Sequence, residues 1–279
     1  MKLVLEGGGV RATYGAGVLH GLLEEGVEAD AVIGSSSGSI NAAFYAARQT
    51  RTLLELWTEY VPGDRFISWR RLFTPGGRPG LDVDGMLDEV IAAGGLLDVE
   101  RATGGPTALY VTATDVDRRE QVVARPTPTD LFEWLRASLA IPVGYNRVVE
   151  IGGRRCVDGG VAAPVPFDVP ELREHGGPTV VILTRAVETK KPPPALWARL
   201  WIRAFVPAAA RRASLEQHEL HNATMTRLAA ARGDGDVIVV DPPADMLLSR
   251  LTRDPGKVRE GAEVGLRVGR ELARTLRAR

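Results

Sequence analysis

The sequence predicts an α/β fold with a mainly parallel central sheet. Short apolar segments alternate with helix-like segments over the first fifty residues, and two of the junctions between them are rich in glycine. A strand–helix–strand–helix order at this pace favours parallel strands joined by right-handed crossovers. The 279 residues are 44% hydrophobic and 25% charged, which is typical of a globular chain with a sizeable core. We therefore expect residues 1–279 to form a single α/β domain.

The individual elements follow from apolar runs and from the residues that end them. Gly26 is a candidate helix C-cap, Pro142 limits a helix, and β-branched runs favour strands. The predicted order is a strand at Leu3–Leu5, a helix from about Ala12 to Glu25, a strand at Ala31–Ile33, a helix at Ser39–Arg48, a helix near Val83–Ala93, strands at Leu109–Thr114 and Gln121–Ala124, a helix at Leu131–Ala140, and strands at Thr179–Thr184 and Val237–Val240.

Composition and charge exclude several classes of protein. The 35 basic and 35 acidic residues balance, so the chain has no overall attraction to nucleic acid, and we expect no nucleic-acid partner. No run approaches 18 apolar residues, which argues against a membrane span. Cys156 is the only cysteine, so an intrachain disulfide and a cysteine zinc site are both excluded. Because Met1–Glu6 already reads as a strand rather than a signal peptide, we expect a cytoplasmic location.

The first candidate functional segment is the glycine loop Gly7-Gly8-Gly9-Val10-Arg11, between a predicted strand and a predicted helix. Its glycines expose backbone N–H groups, and the helix that follows adds the positive end of its dipole, so the loop suits a phosphate or an oxyanion. The Walker phosphate-loop pattern is absent, and the dinucleotide pattern is met only with Ala12 in its last place. A plain tight turn is the alternative.

The second segment, Gly34-Ser35-Ser36-Ser37-Gly38, also joins a predicted strand to a predicted helix. G-x-S-x-G in this position is typical of a nucleophile elbow, in which the hydroxyl of Ser36 projects from the sheet edge. Gly34 and Gly38 would let the strand and the helix approach each other. Gly9 and Ser36 lie about one βαβ unit apart, so both turns should emerge at the same edge of the sheet. That arrangement would bring N–H donors beside a hydroxyl, as acyl transfer requires.

The residues alone leave the general base open. His218 and His221, three apart on a predicted helical face, could be late members of a triad, although partly exposed or capping roles fit them better. Asp158, in Asp158-Gly159-Gly160, could be presented on a tight turn, and burial would raise its low pKa towards that of a useful base. A plain Asp-Gly turn is the alternative for that segment.

Taken together and in order, these segments resemble the patatin-like phospholipases, in particular their compact bacterial members. Gly7–Arg11 is similar to the family's oxyanion block, Gly34–Gly38 to its nucleophile block and Asp158–Gly160 to its catalytic D-G-[GA] block. Residues 137–142 resemble the A-S-x-x-x-P helix end, and Ser249–Asp254 resembles the tail of the bacterial members. One departure is Ala12, where the family usually has glycine.

The resemblance implies a three-layer α/β/α sandwich and a Ser–Asp dyad that cleaves acyl esters of lipids without a metal or another cofactor. Ser36 would be the nucleophile and Asp158 the proton acceptor. Backbone N–H groups of the loop Gly7, Gly8, Gly9 and Val10 would hold the oxyanion, and Arg11 would support that loop. Short-chain esterase or thioesterase activity, and lipid or anion binding without catalysis, are the alternatives.

A last segment suggests how such a protein meets its substrate. Residues 195–206 have helical character, with Trp197 and Trp201 on an apolar half of the wheel and Arg199 and Arg203 on the other. A basic, tryptophan-bearing amphipathic helix is typical of a membrane interface. We expect either a lid or peripheral membrane-docking element here, or a helix that packs on the core.

Overall fold

The computed structural model describes residues 1–68, 80–142, 144, 145, 147–232 and 236–278, and eight strands of this part form one sheet. They are β1 (Lys2–Leu5), β2 (Ala31–Ser35), β3 (Ala108–Asp115), β4 (Glu120–Ala124), β5 (Val149–Ile151), β6 (Arg154–Asp158), β7 (Thr179–Ile182) and β8 (Val237–Val240). Five of them run parallel in the order β3-β2-β1-β7-β8. Strands β4 and β6 pair antiparallel with β3, and β5 pairs antiparallel with β6. The predicted mainly parallel α/β fold is confirmed.

The helices of the described residues flank this sheet. They are α1 (Ala12–Glu24), α2 (Ser37–Ala46), α3 (Thr50–Glu55), α4 (Val99–Gly104), α5 (Leu131–Leu139), α6 (Pro170–Arg173), α7 (Leu196–Phe205), α8 (Ala208–Ala231) and α9 (Pro255–Arg277). The helix predicted near Val83–Ala93 is π-helical over Gly85–Ala92, and a second π-helical turn covers Leu56–Tyr60. Within the described ranges, none of the helices combines the length and the apolar character that crossing a bilayer requires.

The alternation of side chains along the central strands creates two cores, one on each face of the sheet. Leu3 and Leu5 of β1 belong to a large cluster with residues of α1, α2 and α5, whereas Val4 packs on the other face with Leu172 of α6 and Leu228 of α8. All five side chains are buried. Helix layers on both faces of one sheet give the three-layer sandwich that the resemblance implies.

Helix α1, which carries the glycine loop at its start, packs backbone to backbone against α9. A Cβ atom placed on Gly265 of α9 would lie 2.0 Å from the carbonyl oxygen of Tyr14, and one on Gly17 of α1 would lie 2.1 Å from that of Ala262. Side chains at these positions would force the two helices apart. The C-terminal helix therefore fixes the helix on which the glycine loop depends.

Candidate active site

The turn between β2 and α2 holds Ser36 in a backbone conformation that few residues other than glycine adopt, with φ 53° and ψ −131°. Three hydrogen bonds keep it there. The Ser36 N–H donates to Ser138 Oγ at 2.9 Å, and the Ser36 carbonyl accepts from the backbone N–H and the hydroxyl of Ser39, at 2.8 and 2.6 Å. Strain of this kind is typical of functional turns and needs such support.

The two glycines of the turn lie where no side chain fits. A Cβ atom on Gly34 would lie 2.2 Å from the carbonyl oxygen of Gly38, and one on Gly38 would lie 2.5 Å from that of Leu5. Strand β2, helix α2 and strand β1 therefore approach each other through their backbones. The close approach presents Ser36 at the tip of a sharp strand-to-helix turn, which is the geometry of a nucleophile elbow.

Strand β3 brings Asp158 beside Ser36. Its consecutive residues Thr112 and Ala113 pair with Ser35 at the end of β2 and with Asp158 at the end of β6. The Ser36 hydroxyl donates to Asp158 Oδ2 at 2.6 Å, and the Gly160 N–H donates to Asp158 Oδ1 at 2.8 Å. Both side chains are nearly enclosed, since Ser36 is 6% exposed and Asp158 is 5% exposed.

The surroundings of Asp158 change its acidity. Burial raises the pKa of the carboxyl from 3.8 to about 6, while the hydrogen bonds from Ser36 and from the Gly160 N–H act in the opposite direction. The charges of Arg250 and Lys191 also lower this pKa. Asp158 is thus ionised at neutral pH but is a stronger base than an aspartate in water, as proton abstraction requires.

The glycine loop lies against the nucleophile, because a Cβ on Gly7 would be 2.6 Å from the Cβ of Ser36. Three of its amides are engaged: the Gly8 N–H donates to Ser37 Oγ at 2.9 Å, the Val10 N–H to the Arg250 carbonyl at 3.1 Å and the Arg11 N–H to the Gly8 carbonyl at 3.4 Å. The N–H groups of Gly7 and Gly9 have no acceptor among the described residues. These two glycines therefore supply the backbone donors of the loop that are free to bind an oxyanion.

Ser37 is a residue that the sequence reasoning missed. It is the first residue of α2, whose N-terminal amides have no side-chain cap, and its hydroxyl also accepts the Gly8 N–H. The amide that follows the nucleophile in a G-x-S-x-G turn is a usual oxyanion donor. The G-x-S-x-G motif therefore already indicated Ser37 as an oxyanion donor.

Arg11 ends the glycine loop, and its backbone N–H donates to the Gly8 carbonyl at 3.4 Å. Its side chain is 8% exposed, and Nε and Nη2 are buried with no hydrogen-bond partner among the described residues. Burial lowers the pKa of Arg11 to about 9, and the positive charges of Arg185 and Arg250 act in the same direction. The side chain of Arg11 thus lies near two other cations beside the glycine loop.

The four histidines all lie in the described residues, and none of them hydrogen-bonds to Ser36 or Asp158. His20 contacts Thr50, His175 contacts Tyr110, and His218 contacts the Leu215 carbonyl of its own helix. His221 was expected to be partly exposed, but it is fully buried, and both its ring nitrogens lack a partner among the described groups. Burial lowers the pKa of His221 to about 3, so this ring is neutral.

A cavity of about 360 Å³ opens on the Ser36–Asp158 pair, a size that fits a small organic ligand. Much of its lining is apolar and comes from the region between α2 and α5, for example Ile40, Trp57, Phe66, Leu81 and Leu139. No group of three or more His, Cys, Asp or Glu side chains that could hold a metal ion occurs in the part of the chain described.

Helix α7 borders this cavity and divides its apolar residues between two sides. Ile202 lines the cavity and belongs to a buried apolar cluster. The half-buried Trp201 packs against that cluster. Leu196, Trp197 and Leu200 face outwards and are 72%, 74% and 57% exposed. The helix therefore packs on the protein along one side and exposes apolar side chains along the other.

A family model and one relative of this chain name the same family. The model of the family described as Patatin-like phospholipase matches residues 3–170. The uncharacterized protein YjjU of Escherichia coli is 28% identical over 187 residues, which are 66% of this chain and 51% of YjjU. A patatin-like phospholipase domain-containing protein of Caenorhabditis elegans, ZK370.4, is 28% identical over 191 residues, 64% of this chain and 13% of that protein. The chain thus corresponds to about half, or less, of the length of these relatives.

Among solved structures, VipD of Legionella pneumophila has a similar fold. The superposition has a TM-score of 0.52 and covers 98% of this chain and 66% of VipD, at 12% sequence identity. At that identity the likeness concerns the fold alone.

Proposed function

This chain belongs to the patatin-like phospholipase family, and from that premise we propose that it hydrolyses carboxylic esters of lipids through a Ser36–Asp158 dyad. The observation that carries the proposal is the 2.6 Å hydrogen bond from the Ser36 hydroxyl to Asp158, at a strained turn that opens on an apolar cavity. A hydroxyl paired with a buried base and facing a ligand-sized cavity is the arrangement that nucleophilic acyl transfer requires.

In the proposed reaction, Asp158 accepts the hydroxyl proton of Ser36 while the serine oxygen bonds to the ester carbonyl carbon. The Gly9 and Ser37 N–H groups hydrogen-bond to the negative oxygen of the tetrahedral intermediate. The carbon–oxygen bond to the leaving alcohol then breaks, and the alcohol takes the proton from Asp158, which leaves an acyl-enzyme. Asp158 next takes a proton from a water molecule as the water oxygen bonds to the acyl carbon. The bond from that carbon to Ser36 Oγ then breaks, Asp158 returns the proton to Ser36 Oγ, and the fatty acid leaves.

The apolar cavity and the strained serine favour the lipid hydrolase over the two alternatives. A short-chain esterase or thioesterase would need room for only a few carbons, whereas apolar side chains from several segments line this cavity. A protein that only binds lipids or anions would have no use for a strained serine that donates to a buried carboxylate. Both alternatives predict different results in the experiments below.

Labelling with a fluorophosphonate probe tests the nucleophile. We expect the wild type to be labelled and Ser36→Ala to remain unlabelled. Ser214→Ala is a matched control, since Ser214 lies on the same cavity but donates its hydroxyl to the Ala210 carbonyl within α8. Equal labelling of the Ser36→Ala variant and the wild type would end the assignment. Hydrolysis rates for nitrophenyl esters of increasing chain length would then separate a lipase from a short-chain esterase.

Helix α7 is proposed to bring the cavity to its substrate at a membrane surface. Its outward residues Leu196, Trp197 and Leu200 present an apolar surface, and Arg199 and Arg203 beside them are also exposed. Apolar and basic side chains together favour the interface of an anionic bilayer. Peripheral contact with a membrane from the cytoplasm is therefore part of the proposal.

A further inference from the structure

Helices α7 and α8 pack directly on the segment that carries Asp158. They share one buried cluster with it, whose members are Val116, Val157, Val161, Ile202, Val206 and Ala210. Val157 and Val161 lie on either side of Asp158 in the chain. Ile202 comes from α7 and Ala210 from α8. Apolar packing therefore holds these two helices against the turn that presents the proposed base.

Gln217 of α8 adds a polar contact to the same turn. Its side-chain amide donates to the Gly160 carbonyl at 2.8 Å, and the residue is half-buried on the lining of the cavity. Gly160 in turn donates its N–H to Asp158 Oδ1 at 2.8 Å, while Asp158 Oδ2 accepts the hydroxyl of Ser36 at 2.6 Å. A single glycine thus connects Gln217 to the carboxylate of the dyad.

The backbone of Asp158 is held from the other side, by the sheet and by the end of α5. The Asp158 N–H donates to the Ala140 carbonyl at 3.0 Å, and the Asp158 carbonyl accepts the Thr114 hydroxyl at 2.8 Å. These bonds fix where the residue lies but not how its carboxylate is turned. The group that bonds to Oδ1 is the Gly160 N–H, and the carbonyl of Gly160 is bound from α8.

Gly160 needs such a bond because glycine restricts its own backbone least of all residues. A side chain cannot stiffen it here, since a Cβ on Gly160 would lie 3.0 Å from Asp158 Oδ1. If Gly160 rotated, its N–H would leave Oδ1, and the carboxylate would be free to turn away from Ser36. A general base works only within hydrogen-bond reach of the proton that it accepts. Immobilising Gly160 therefore preserves the geometry of proton transfer.

We propose that Gln217 is a positioning residue of the dyad, which fixes Gly160 and through it the orientation of the Asp158 carboxylate towards Ser36. The inference rests on the proposed function and adds to it a residue that lies outside the glycine loop, the elbow and the Asp-Gly turn. Gln217 takes no part in proton transfer. The base is thus held in part by α8, the helix that packs beside α7.

Gln217→Met tests the proposal, because methionine has a similar length and volume but no N–H donor. We would measure kcat and KM for a soluble nitrophenyl ester, together with the pH profile of kcat/KM. We expect kcat to fall about three- to tenfold, which is the effect of one hydrogen bond, while KM stays within about twofold of the wild-type value. The loss falls on kcat because Gln217 acts on proton transfer rather than on substrate binding.

The acid limb of the pH profile gives a second readout. The Gly160 N–H lowers the pKa of Asp158. Weakening this bond should therefore raise the pH at which kcat/KM is half-maximal, by about 0.3–0.7 units. Arg250 and Lys191, whose charges also act on Asp158, are present in both proteins. Because the position of the limb does not depend on the amount of folded enzyme, a loss of stability cannot imitate the shift.

Thr226→Val is the matched control on α8. Thr226 is exposed and donates its hydroxyl to the Asn222 carbonyl of its own helix, so the change also removes one side-chain hydrogen bond without altering charge. We expect it to keep the wild-type kcat and acid limb. A Gln217→Met enzyme with wild-type kcat, or with a lower kcat and an unmoved acid limb, would overturn the proposal.

The proposed function can fail separately from this inference. If Ser36→Ala hydrolysed the ester as fast as the wild type, the dyad would be wrong whatever the result for Gln217→Met. If Ser36→Ala and Asp158→Asn were inactive and Gln217→Met matched the wild type, the dyad would stand and Gln217 would have no positioning role.

Discussion

The elbow at Ser36 and helix α7 border the same cavity but are built in opposite ways. At the elbow, backbones touch through Gly34 and Gly38, and each polar group of the strained serine has a partner. Helix α7 packs on the protein along one side and exposes Trp197 and Leu196 on the other. Reacting groups must be held in a fixed geometry, whereas a surface that binds lipid only has to be exposed to solvent. Changes in the two regions should therefore have separable effects.

The largest effect is expected at the elbow. Ser36→Ala and Asp158→Asn should each lower kcat for a nitrophenyl ester at least about 10³-fold, because one removes the nucleophile and the other the base. His218→Ala is the control and should retain activity, since the polar partners of His218 among the described residues, the Leu215 carbonyl and Glu219, both lie in α8. Loss of activity in that control at unchanged stability would replace the dyad by a histidine mechanism.

The pH dependence tests the environment of the elbow. Asp158 accepts a proton only when it is ionised, and its pKa is raised to about 6. We therefore expect kcat/KM to be constant above pH 7 and to fall about tenfold per unit well below pH 6. A profile that stays flat down to pH 5 would show that the carboxyl is not buried as described.

The raised pKa of Asp158 also makes stability depend on pH, in the opposite direction to activity. A folded pKa above the unfolded value of 3.8 means that this group stabilises the fold fully below pH 3.8 and that the contribution is lost as the pH rises through about 6. At pH 7, Asp158→Asn should be inactive yet more stable than the wild type, by up to about 3 kcal/mol. Thermal unfolding at pH 5 and pH 7 would check that the difference is smaller at the lower pH.

The packing of α9 on α1, the helix that follows the glycine loop, can be weakened far from the site. Gly265→Ala places a methyl group against the Tyr14 backbone of α1 and should lower the free energy of unfolding by about 1–3 kcal/mol. Gly104→Ala is the control, because a Cβ at Gly104 meets nothing within 4 Å. Urea unfolding measures both variants. Equal stability of the two would contradict the close packing of α1 on α9.

The smallest effect is expected at α7. Trp197→Ala should weaken sedimentation with anionic vesicles by about three- to tenfold and leave hydrolysis of a soluble ester unchanged, because Trp197 only adds exposed apolar surface. Trp201→Ala is the matched change on the packed side and should lower stability by about 1–3 kcal/mol. Unchanged vesicle binding of Trp197→Ala would remove the membrane-docking proposal and leave the elbow untouched.

Much of the fold could be read from local patterns, and the exceptions have physical causes. The strands of the parallel sheet and helices α1, α2 and α5 were predicted, since each has an apolar run and a clear end signal. Helix α9 was missed, and α8 was indicated only by the helical face of His218 and His221. Helix α9 contains Gly261, Gly265 and Gly269, which lower helix propensity in isolation but allow the close packing that stabilises it here.

The candidate site, like the fold, was predicted only in part from the sequence. Both glycine-rich turns and their spacing are local features, so the sequence alone indicated that Ser36 and the loop at Gly9 lie together. Arg11 was expected to support the loop, yet its unpartnered nitrogens and its place beside Arg185 and Arg250 depend on residues more than 170 positions away.

Local sequence patterns were enough to predict the five parallel strands, helices α1, α2 and α5, the sharp turn at Ser36 and the apolar and basic character of residues 195–206. These properties depend on neighbours a few residues apart. The contact between Asp158 and Ser36 could not be predicted locally, because it depends on the register of β3. Its adjacent residues Thr112 and Ala113 pair with two distant segments. Only the tertiary structure decided which side of α7 is covered and that Lys191 and Arg250 share one cavity, since burial and electrostatic potential are set by the whole packed chain.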